Sequence, residues 1–248
     1  MAGSGFGTNF RITTWGETHG AGVGVVVDGC PAGLPLERED VQKYLDRRKP
    51  GQSKYTTQRK EGDQVEILSG IFEGRTTGTP ISMVVYNKDQ RSKDYSNIKD
   101  IYRPGHADFT FDMKYGFRDY RGGGRSSGRE TIGRVAAGAV AAKVLKELGI
   151  EIKAYAKAIA GIEVSKDHFD FAEMNNNPFN MPDKEAAKLV QEKADQMIKE
   201  MDSIGGIIEC QITGMPVGIG ETVFDKLDAE LSKAIMSIGS VKGFEIGD

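Results

Sequence analysis

The feature that most constrains the fold is a glycine-, arginine- and serine-rich segment that leads directly into an alanine-rich stretch. Residues 121–130 have the sequence Arg-Gly-Gly-Gly-Arg-Ser-Ser-Gly-Arg-Glu, and residues 130–149 predict a helix that ends at Gly149. The glycines leave the backbone open to a ligand, and the serines and arginines add hydrogen-bond donors. A helix N-terminus also favours negative charge. The segment therefore predicts an anion-binding loop, with a flexible surface loop as the alternative.

The arginines of the chain are confined to its first part. All of them lie between Arg11 and Arg134, and every later cationic side chain is a lysine. Arginine binds phosphate and carboxylate through two parallel hydrogen bonds, whereas lysine suits solvated surfaces. We therefore expect the anion site in the first part of the chain.

The overall charge argues against a nucleic-acid partner. The formal net charge is −3, whereas nucleic-acid-binding domains usually carry a strong basic excess. A single Arg-Gly unit also differs from the repeated units of single-strand binders. A nucleotide-binding loop is disfavoured too, because the Gly-Lys-[Ser/Thr] of a P-loop is missing and residues 20–24 lie in a strand-like run.

Composition indicates a folded cytoplasmic protein. The 248 residues, of which 38% are hydrophobic, are enough for one large domain or two small ones. Cys30 and Cys210 lack the spacing of a disulfide framework or a metal site. No window approaches the roughly 20 apolar residues of a membrane span, and the N-terminus has no export signal. We expect no metal and no membrane partner.

Two of the three histidines lie in glycine-containing turns. His19 precedes a β-branched run at residues 23–27, and His106 follows Arg103 across a Pro-Gly turn. A histidine in such a turn is either a structural hydrogen-bonder or a proton-transfer group. The flanking glycines open the backbone around His19 and favour the second role. His168 lies in a polar context for which we predict no function.

The periodicity of apolar residues predicts a mixed set of elements. Strands are expected at residues 23–27, 64–70, 80–86, 150–162 and 207–213, with a further one near 244–246, and helices at 37–48, 130–149, 183–201 and about 223–235. The strands at 64–70 and 80–86 are expected to pair antiparallel. The long stretch from 87 to 127 has few periodic apolar residues and predicts a functional loop.

A motif of the form Gly-x-Pro-x-Gly-[Leu/Ile] occurs twice, at residues 29–34 and 214–219. Each copy follows a predicted strand and precedes a predicted helix. The repeat predicts one domain, residues 1–248, with two related halves at about 1–150 and 151–248. We expect the second half to be incomplete.

Four motifs in order resemble the chorismate synthase family over essentially the whole chain. They are Gly-Glu-Thr-His-Gly at 16–20, Arg-Arg-Lys-Pro-Gly at 47–51, Arg-Pro-Gly-His-Ala-Asp at 103–108, and the loop and helix start at 121–138. The resemblance implies an α+β fold, a β-α-β sandwich, and a homotetramer. It also implies a 1,4-anti elimination of phosphate from 5-enolpyruvylshikimate 3-phosphate in the shikimate pathway of aromatic amino acid biosynthesis. The product is chorismate, and reduced FMN is required without net redox change, with NADPH as a reductant of the flavin.

The resemblance also implies roles for particular residues. Substrate anions would be held by Arg48, Lys54, Arg103, Ser127 and Arg129. The flavin would be lined by Arg125, Ser126 and Ser127. His19 would act as general acid toward the departing phosphate, and His106 would protonate or charge-balance the reduced flavin.

The resemblance departs from the family at the C-terminus, because relatives continue past Asp248 with further flavin contacts. From this we expect a chain that binds the phosphorylated substrate weakly, binds FMN poorly and does not turn over. A catalytically impaired remnant that binds flavin or anions is therefore the alternative to an active enzyme.

Overall fold

A computed structural model of the chain describes residues 3–56, 62–87 and 99–247. The chain divides into two compact units. The first unit comprises Met1–Lys49, Lys60–Glu147 and Pro216–Asp248, and the second comprises Pro50–Arg59 and Leu148–Met215. The helices are α1 Arg38–Arg48, α2 Asp108–Tyr115, α3 Thr131–Glu147, α4 Lys184–Glu200 and α5 Leu227–Met236. With antiparallel sheets in both units, the predicted α+β class is confirmed.

A five-stranded antiparallel sheet organises the first unit. In chain order its strands are β1 Gly5–Phe6, β2 Arg11–Gly16, β3 Gly22–Asp28, β4 Val65–Ile67 and β7 Ile81–Tyr86. Between β4 and β7 the chain forms a small separate hairpin of β5 Ile71–Phe72 and β6 Arg75–Thr76. The spatial order is β1-β2-β3-β7-β4. The predicted antiparallel pairing of the strands near residues 65 and 85 is confirmed, with Val65 opposite Val85.

The alanine-rich helix α3 covers the sheet of the first unit. Its face of Ile132, Ala136 and Val140 is buried in one core with the valines of β3. At Gly133 an added Cβ would lie 3.0 Å from Thr14 Cγ2 and 3.1 Å from Gly24 O. The small residues of α3 therefore let the helix approach β2 and β3 closely, which fixes the position of its N-terminus.

The second unit is a three-stranded sheet with one long helix. Its strands are β8 Glu151–Ile159, β9 Ile162–Glu163 and β10 Gly206–Thr213, in the order β10-β8-β9. The predicted cap of α4 is confirmed, since Asp183 Oδ1 accepts hydrogen bonds from the N–H groups of Glu185 at 2.9 Å and Ala186 at 3.0 Å. Val190 of α4 packs with Met181 in a small separate core.

Three predictions from periodicity differ from the structure. Helix α2 lies inside the stretch predicted as loop, because its apolar residues alternate along the chain (Phe109, Phe111, Met113 and Tyr115) and do not mark one helical face. Residues 220–226 form a hairpin, β11 Gly220–Glu221 and β12 Asp225–Lys226, so the last helix begins later than predicted. The strand predicted at 244–246 is not formed, because no described residue pairs with it and Ile246 is 62% exposed.

The repeated glycine motif has the same backbone in both copies. Gly29 and Gly214 have φ of 82° and 75°, which is the left-handed region that glycine adopts without strain. An added Cβ at Gly29 would lie 1.8 Å from Asn9 O, and at Gly214 it would lie 2.0 Å from Gly149 O. Glycine is therefore required at both positions for the same steric reason. The division into halves at residue 150 stays a prediction.

Among the residues that the structure describes, no helix combines the length and the hydropathy that crossing a membrane would need.

Candidate anion-binding site

The predicted loop lies directly before α3. Two short 3-10 turns, Gly124–Ser126 and Gly128–Glu130, lead into the helix. Ser127 Oγ accepts a hydrogen bond from the Arg129 N–H at 3.3 Å, and Thr131 Oγ1 donates to Gly128 O at 2.6 Å. The predicted placement of the loop at a helix N-terminus is confirmed.

Two of the predicted substrate-binding arginines meet at one carboxylate. Asp63 Oδ2 accepts a hydrogen bond from Arg48 Nη1 at 2.6 Å, and Asp63 Oδ1 accepts one from Arg129 Nη1 at 3.0 Å. The Asp63 side chain is fully buried, whereas those of Arg48 and Arg129 are 17% and 10% exposed. The fold thus brings the end of α1 and the start of α3 together through a carboxylate that the sequence analysis did not identify.

The other donors of Arg48 hold it against the loop. Its Nε donates to Thr131 Oγ1 at 3.1 Å, and its Nη2 lies 3.3 Å from Gly128 O. Burial lowers the pKa of the Arg48 guanidinium; the charge of Asp63 opposes this, and that of Arg129 adds to it. These contacts hold the Arg48 guanidinium at the start of α3, beside the loop that is predicted to bind an anion.

Within the described part of the chain, Arg129 retains a donor without an acceptor. Its Nη2 donates to Asn87 Oδ1 at 3.0 Å, but its buried Nε–H has no hydrogen-bond partner among residues 3–56, 62–87 and 99–247. A buried donor without an acceptor costs about 1–3 kcal/mol. This is the kind of donor that an anionic ligand would satisfy.

His19 lies in the turn between β2 and β3 and packs on the loop. The residue is 8% exposed. A Cβ added to Gly122 would lie 2.4 Å from the ring carbon Cδ2 and 2.6 Å from Nε2, and Gly122 has a φ of 121°. Any side chain at Gly122 would therefore displace the imidazole. One glycine of the predicted cradle thus makes room for the predicted general acid.

Asn87 connects the histidine turn to Arg129. Its Nδ2 donates to Glu17 O at 2.8 Å and to Gly20 O at 2.9 Å, while its Oδ1 accepts from Arg129. One amide therefore joins the turn that carries His19 to the arginine pair. Sequence reasoning missed Asn87, and the only available signal was a polar residue directly after a buried strand.

Arg103 is held by Asp108 in a bidentate pair. Arg103 Nε donates to Asp108 Oδ2 and Nη2 donates to Oδ1, both at 2.9 Å, and Nη2 also lies 3.1 Å from Gly122 O. The hydrogen bonds from Arg103 hold the pKa of Asp108 well below its usual range. Arg103 is thus anchored beside the glycine that contacts His19. His106 is exposed, and its N–H donates to Arg103 O at 3.3 Å.

Arg125 anchors the loop on β2. Its guanidinium donates to Gly16 O at 3.1 Å, to Thr14 O at 3.1 Å and to Thr14 Oγ1 at 2.6 Å. The neighbouring Ser126 is exposed. Contact of Arg125, Ser126 and Ser127 with a flavin stays a prediction.

Lys54 belongs to the second unit. Its Nζ lies 2.7 Å from Asp195 Oδ1, and Tyr55 OH donates to the same oxygen at 2.9 Å. The hydrogen bond to Asp195 is the largest cause that raises the pKa of Lys54. Its predicted role in substrate binding stays a prediction.

A groove of about 800 Å³ runs along β4 and the beginning of α1. It is lined by Leu36, Arg38, Ile67 and Ile71, among others, and contains none of the predicted site residues. Recognition of several anionic groups requires a cluster of cationic donors, which the arginine network supplies and this groove does not. We therefore place the candidate site at the network.

The arrangement defines a class of protein: an α+β domain with a candidate anion site, in which ordered arginines and a serine-containing loop lie at a helix start with a buried imidazole beside them. The family model described as chorismate synthase matches residues 10–248. The chain belongs to this family.

Individual relatives agree with that membership. The chorismate synthase of Lachnospira eligens is 71% identical over all 248 residues, which cover 68% of that protein. The chorismate synthase of Chloroflexus aggregans is 57% identical, with the same coverage of both chains. A crystal structure of a chorismate synthase matches 95% of this chain and 68% of its own, with a TM-score of 0.76 and 30% identity.

Proposed function

We propose that the protein is a carbon–oxygen lyase that eliminates phosphate from 5-enolpyruvylshikimate 3-phosphate and forms chorismate. The observation that carries the proposal is the pair of Arg48 and Arg129 on one buried carboxylate, next to the loop at the start of α3. Membership of the chorismate synthase family gives this anion site its substrate. The alternative of a non-catalytic remnant is not favoured by these similarities.

The substrate carries a phosphate and two carboxylates, and each needs charge-assisted hydrogen bonds. Arg48, Arg103, Arg129, Ser127 and Lys54 are the proposed donors. Most of the arginine contacts run to Asp63, Asp108 and the loop before any ligand binds. Donors that are already ordered lose less conformational entropy on binding, which improves affinity and alignment.

His19 is the proposed general acid. The C–O bond to phosphate breaks with its electron pair moving to the phosphate oxygen, which a proton from the imidazole neutralises. A ring C–H bond breaks as well; its electron pair forms the new double-bond system and its proton passes to solvent, from which the imidazole is protonated again. Because the imidazole ring packs on Gly122, the His19 side chain is held in one position beside the loop. General-acid catalysis of this kind typically contributes about 10²–10⁴-fold to the rate.

Residues of the loop fit the anionic end of a flavin. The exposed Ser126, the partly exposed Ser127 and the open backbone at Gly124 offer hydroxyl and N–H donors of the type that binds phosphate. Reduced FMN, when bound, supplies the electron density that eases C–O cleavage. We propose that Arg125 keeps this loop on β2 and that His106 balances charge near the cofactor, with NADPH as flavin reductant.

The remaining properties are proposed from the family. We propose a homotetramer in the cytoplasm that acts on a small molecule, with neither nucleic acid nor membrane as partner. The net charge of −3 supports the exclusion of nucleic acid.

The direct test is anaerobic turnover with chemically reduced FMN and 5-enolpyruvylshikimate 3-phosphate. Because the similarities favour the enzyme over the remnant, we expect chorismate and inorganic phosphate in equal amounts, with no net oxidation of the flavin. This result would overturn the expectation from the sequence that the chain does not turn over. Binding of substrate without any product would instead favour the remnant.

A further inference from the structure

Asp63 has an unusual environment for an acidic residue. No part of its side chain is exposed, and both carboxylate oxygens accept hydrogen bonds from guanidinium groups, at 2.6 Å from Arg48 and at 3.0 Å from Arg129. The cluster therefore contains two positive charges and one negative charge. A buried charge is tolerated only when it is paired and hydrogen-bonded, which is the case here.

The backbone of Asp63 is also held in an uncommon conformation. Its φ of 40° lies in the left-handed region, which aspartate tolerates better than most residues. Its carbonyl accepts a hydrogen bond from Gln42 Nε2 of α1 at 3.1 Å. Residues kept in such conformations by their surroundings are concentrated at functional sites.

Without a carboxylate between them, the two guanidinium groups would repel each other and move apart. We propose that Asp63 is a positioning residue for the anion site, and that it holds Arg48 and Arg129 in binding geometry before the phosphorylated substrate arrives. The inference rests on the proposed function, because it assumes that these arginines bind that substrate.

Three accounts of Asp63 predict different signs for the effect of Asp63→Asn. Asparagine has nearly the same shape and also tolerates the left-handed region, so the substitution removes the charge and replaces one of the two acceptor oxygens with an amide donor. If Asp63 positions the arginines, anion affinity falls. If it only offsets their charge, affinity rises, because the site becomes more positive. If it only stabilises the fold, the affinity of the folded protein is unchanged.

The experiment is calorimetric titration of wild-type protein and D63N with 5-enolpyruvylshikimate 3-phosphate, in the absence of flavin. We expect at least about tenfold weaker binding for D63N, since charge-assisted hydrogen bonds at two arginines are disturbed. In turnover, KM should rise more than kcat falls. Tighter or unchanged binding by folded D63N would overturn the proposal.

Asp183→Asn is the matched control. Asp183 is a similarly buried aspartate, 2% exposed, but it caps α4 in the second unit. We expect D183N to lower the melting temperature without changing the affinity for the substrate. An equal loss of affinity in D183N would show that general destabilisation explains D63N, and would overturn the positioning role.

A second variant and a second probe keep the test decisive. If D63N does not fold, Asp63→Glu retains the charge but moves the carboxylate by one methylene, and at least about threefold weaker binding is expected because alignment matters at this scale. Affinity equal to wild type in D63E would overturn the proposal. If wild type binds inorganic phosphate but not the phosphorylated substrate, the proposed function fails and the phosphate titrations decide the role of Asp63. Wild type that binds neither would overturn both.

Discussion

One copy of the glycine motif follows the paired strands β2 and β3 of the first unit, and the other follows the paired strands β8 and β10 of the second. The two pairs differ in how their strands are connected and in how deeply they are buried. In the first unit β2 and β3 are joined by a short turn that carries His19, and β3 is buried. In the second unit the chain between β8 and β10 includes β9 and α4, and β10 is largely exposed. The equivalent glycines nevertheless have nearly equal φ values and the same close backbone contact.

The glycine motif therefore determines the local backbone conformation, whereas the segments that connect the strands determine which side chains are available to bind a ligand. In the first unit, buried or nearly buried carboxylates pair with arginines around a loop at a helix start. In the second unit, ion pairs such as Lys157 with Glu209 at 2.8 Å lie on the surface, with 46% and 33% of the side chains exposed. Changes at the loop and its arginine–carboxylate pairs should therefore affect function, whereas changes in the second unit, apart from the proposed substrate donor Lys54, should affect only stability.

The largest effect is expected for His19→Ala. Loss of the general acid should lower kcat by about 10²–10⁴-fold while substrate affinity changes little. The matched control is His168→Ala in the second unit, where the imidazole lies 3.4 Å from an exposed Glu185 carboxylate. We expect H168A to turn over normally. If kcat of H19A fell by less than about tenfold, His19 would have a structural role only.

Gly122→Ala should have the next largest effect. The new methyl group would clash with the His19 ring, and the positive φ would add strain of about 1–2 kcal/mol. Gly116→Ala is the control, because Gly116 also has a positive φ, 82°, but has no atom within 4 Å of an added Cβ. Both variants should lose stability in thermal melts, and only G122A should lose kcat by about tenfold or more. Equal kcat values in G122A and G116A would show that the contact between Gly122 and His19 does not contribute to catalysis.

Arg129→Lys tests whether guanidinium geometry matters at the site. Lysine keeps the charge but cannot donate simultaneously to Asp63 and Asn87 from a planar group, so substrate affinity should fall roughly tenfold. Arg11→Lys is the control, since Arg11 forms an exposed ion pair with Asp28 in the five-stranded sheet of the first unit. Calorimetry should show unchanged affinity for R11K. An unchanged dissociation constant for R129K would leave Arg129 as a residue of the helix start.

The smallest effect is expected for Glu209→Gln in the second unit. Hydrogen bonds from Lys157 and then Tyr155 lower the pKa of Glu209 to about 2 in the folded state, below its ordinary value of 4.5. Its contribution to stability is therefore present above about pH 4.5 and is lost as the pH falls through the folded-state pKa of about 2. Thermal melts between these pH values should decline more for wild type than for E209Q, by a small amount because the pair is exposed. Any change in substrate affinity of E209Q at pH 7 would contradict the division of roles between the units.

Much of the fold and part of the site follow from the sequence. The helix after the loop, the cap at Asp183 and the antiparallel pairing are local or periodic features, and the sequence predicted each of them. The roles of Asp63 and Asn87 depend on contacts between segments far apart in the chain. Neither residue has a pattern around it that distinguishes it from other polar residues beside strands, so only the folded structure identifies them.

The most direct measurement is a crystal structure of the protein with 5-enolpyruvylshikimate 3-phosphate and oxidised FMN. We expect an anionic group of the substrate within hydrogen-bond distance of Arg48 and Arg129, with the phosphate facing His19. Substrate bound elsewhere, for example in the groove along β4, with the arginines still engaged only by Asp63, would contradict this expectation.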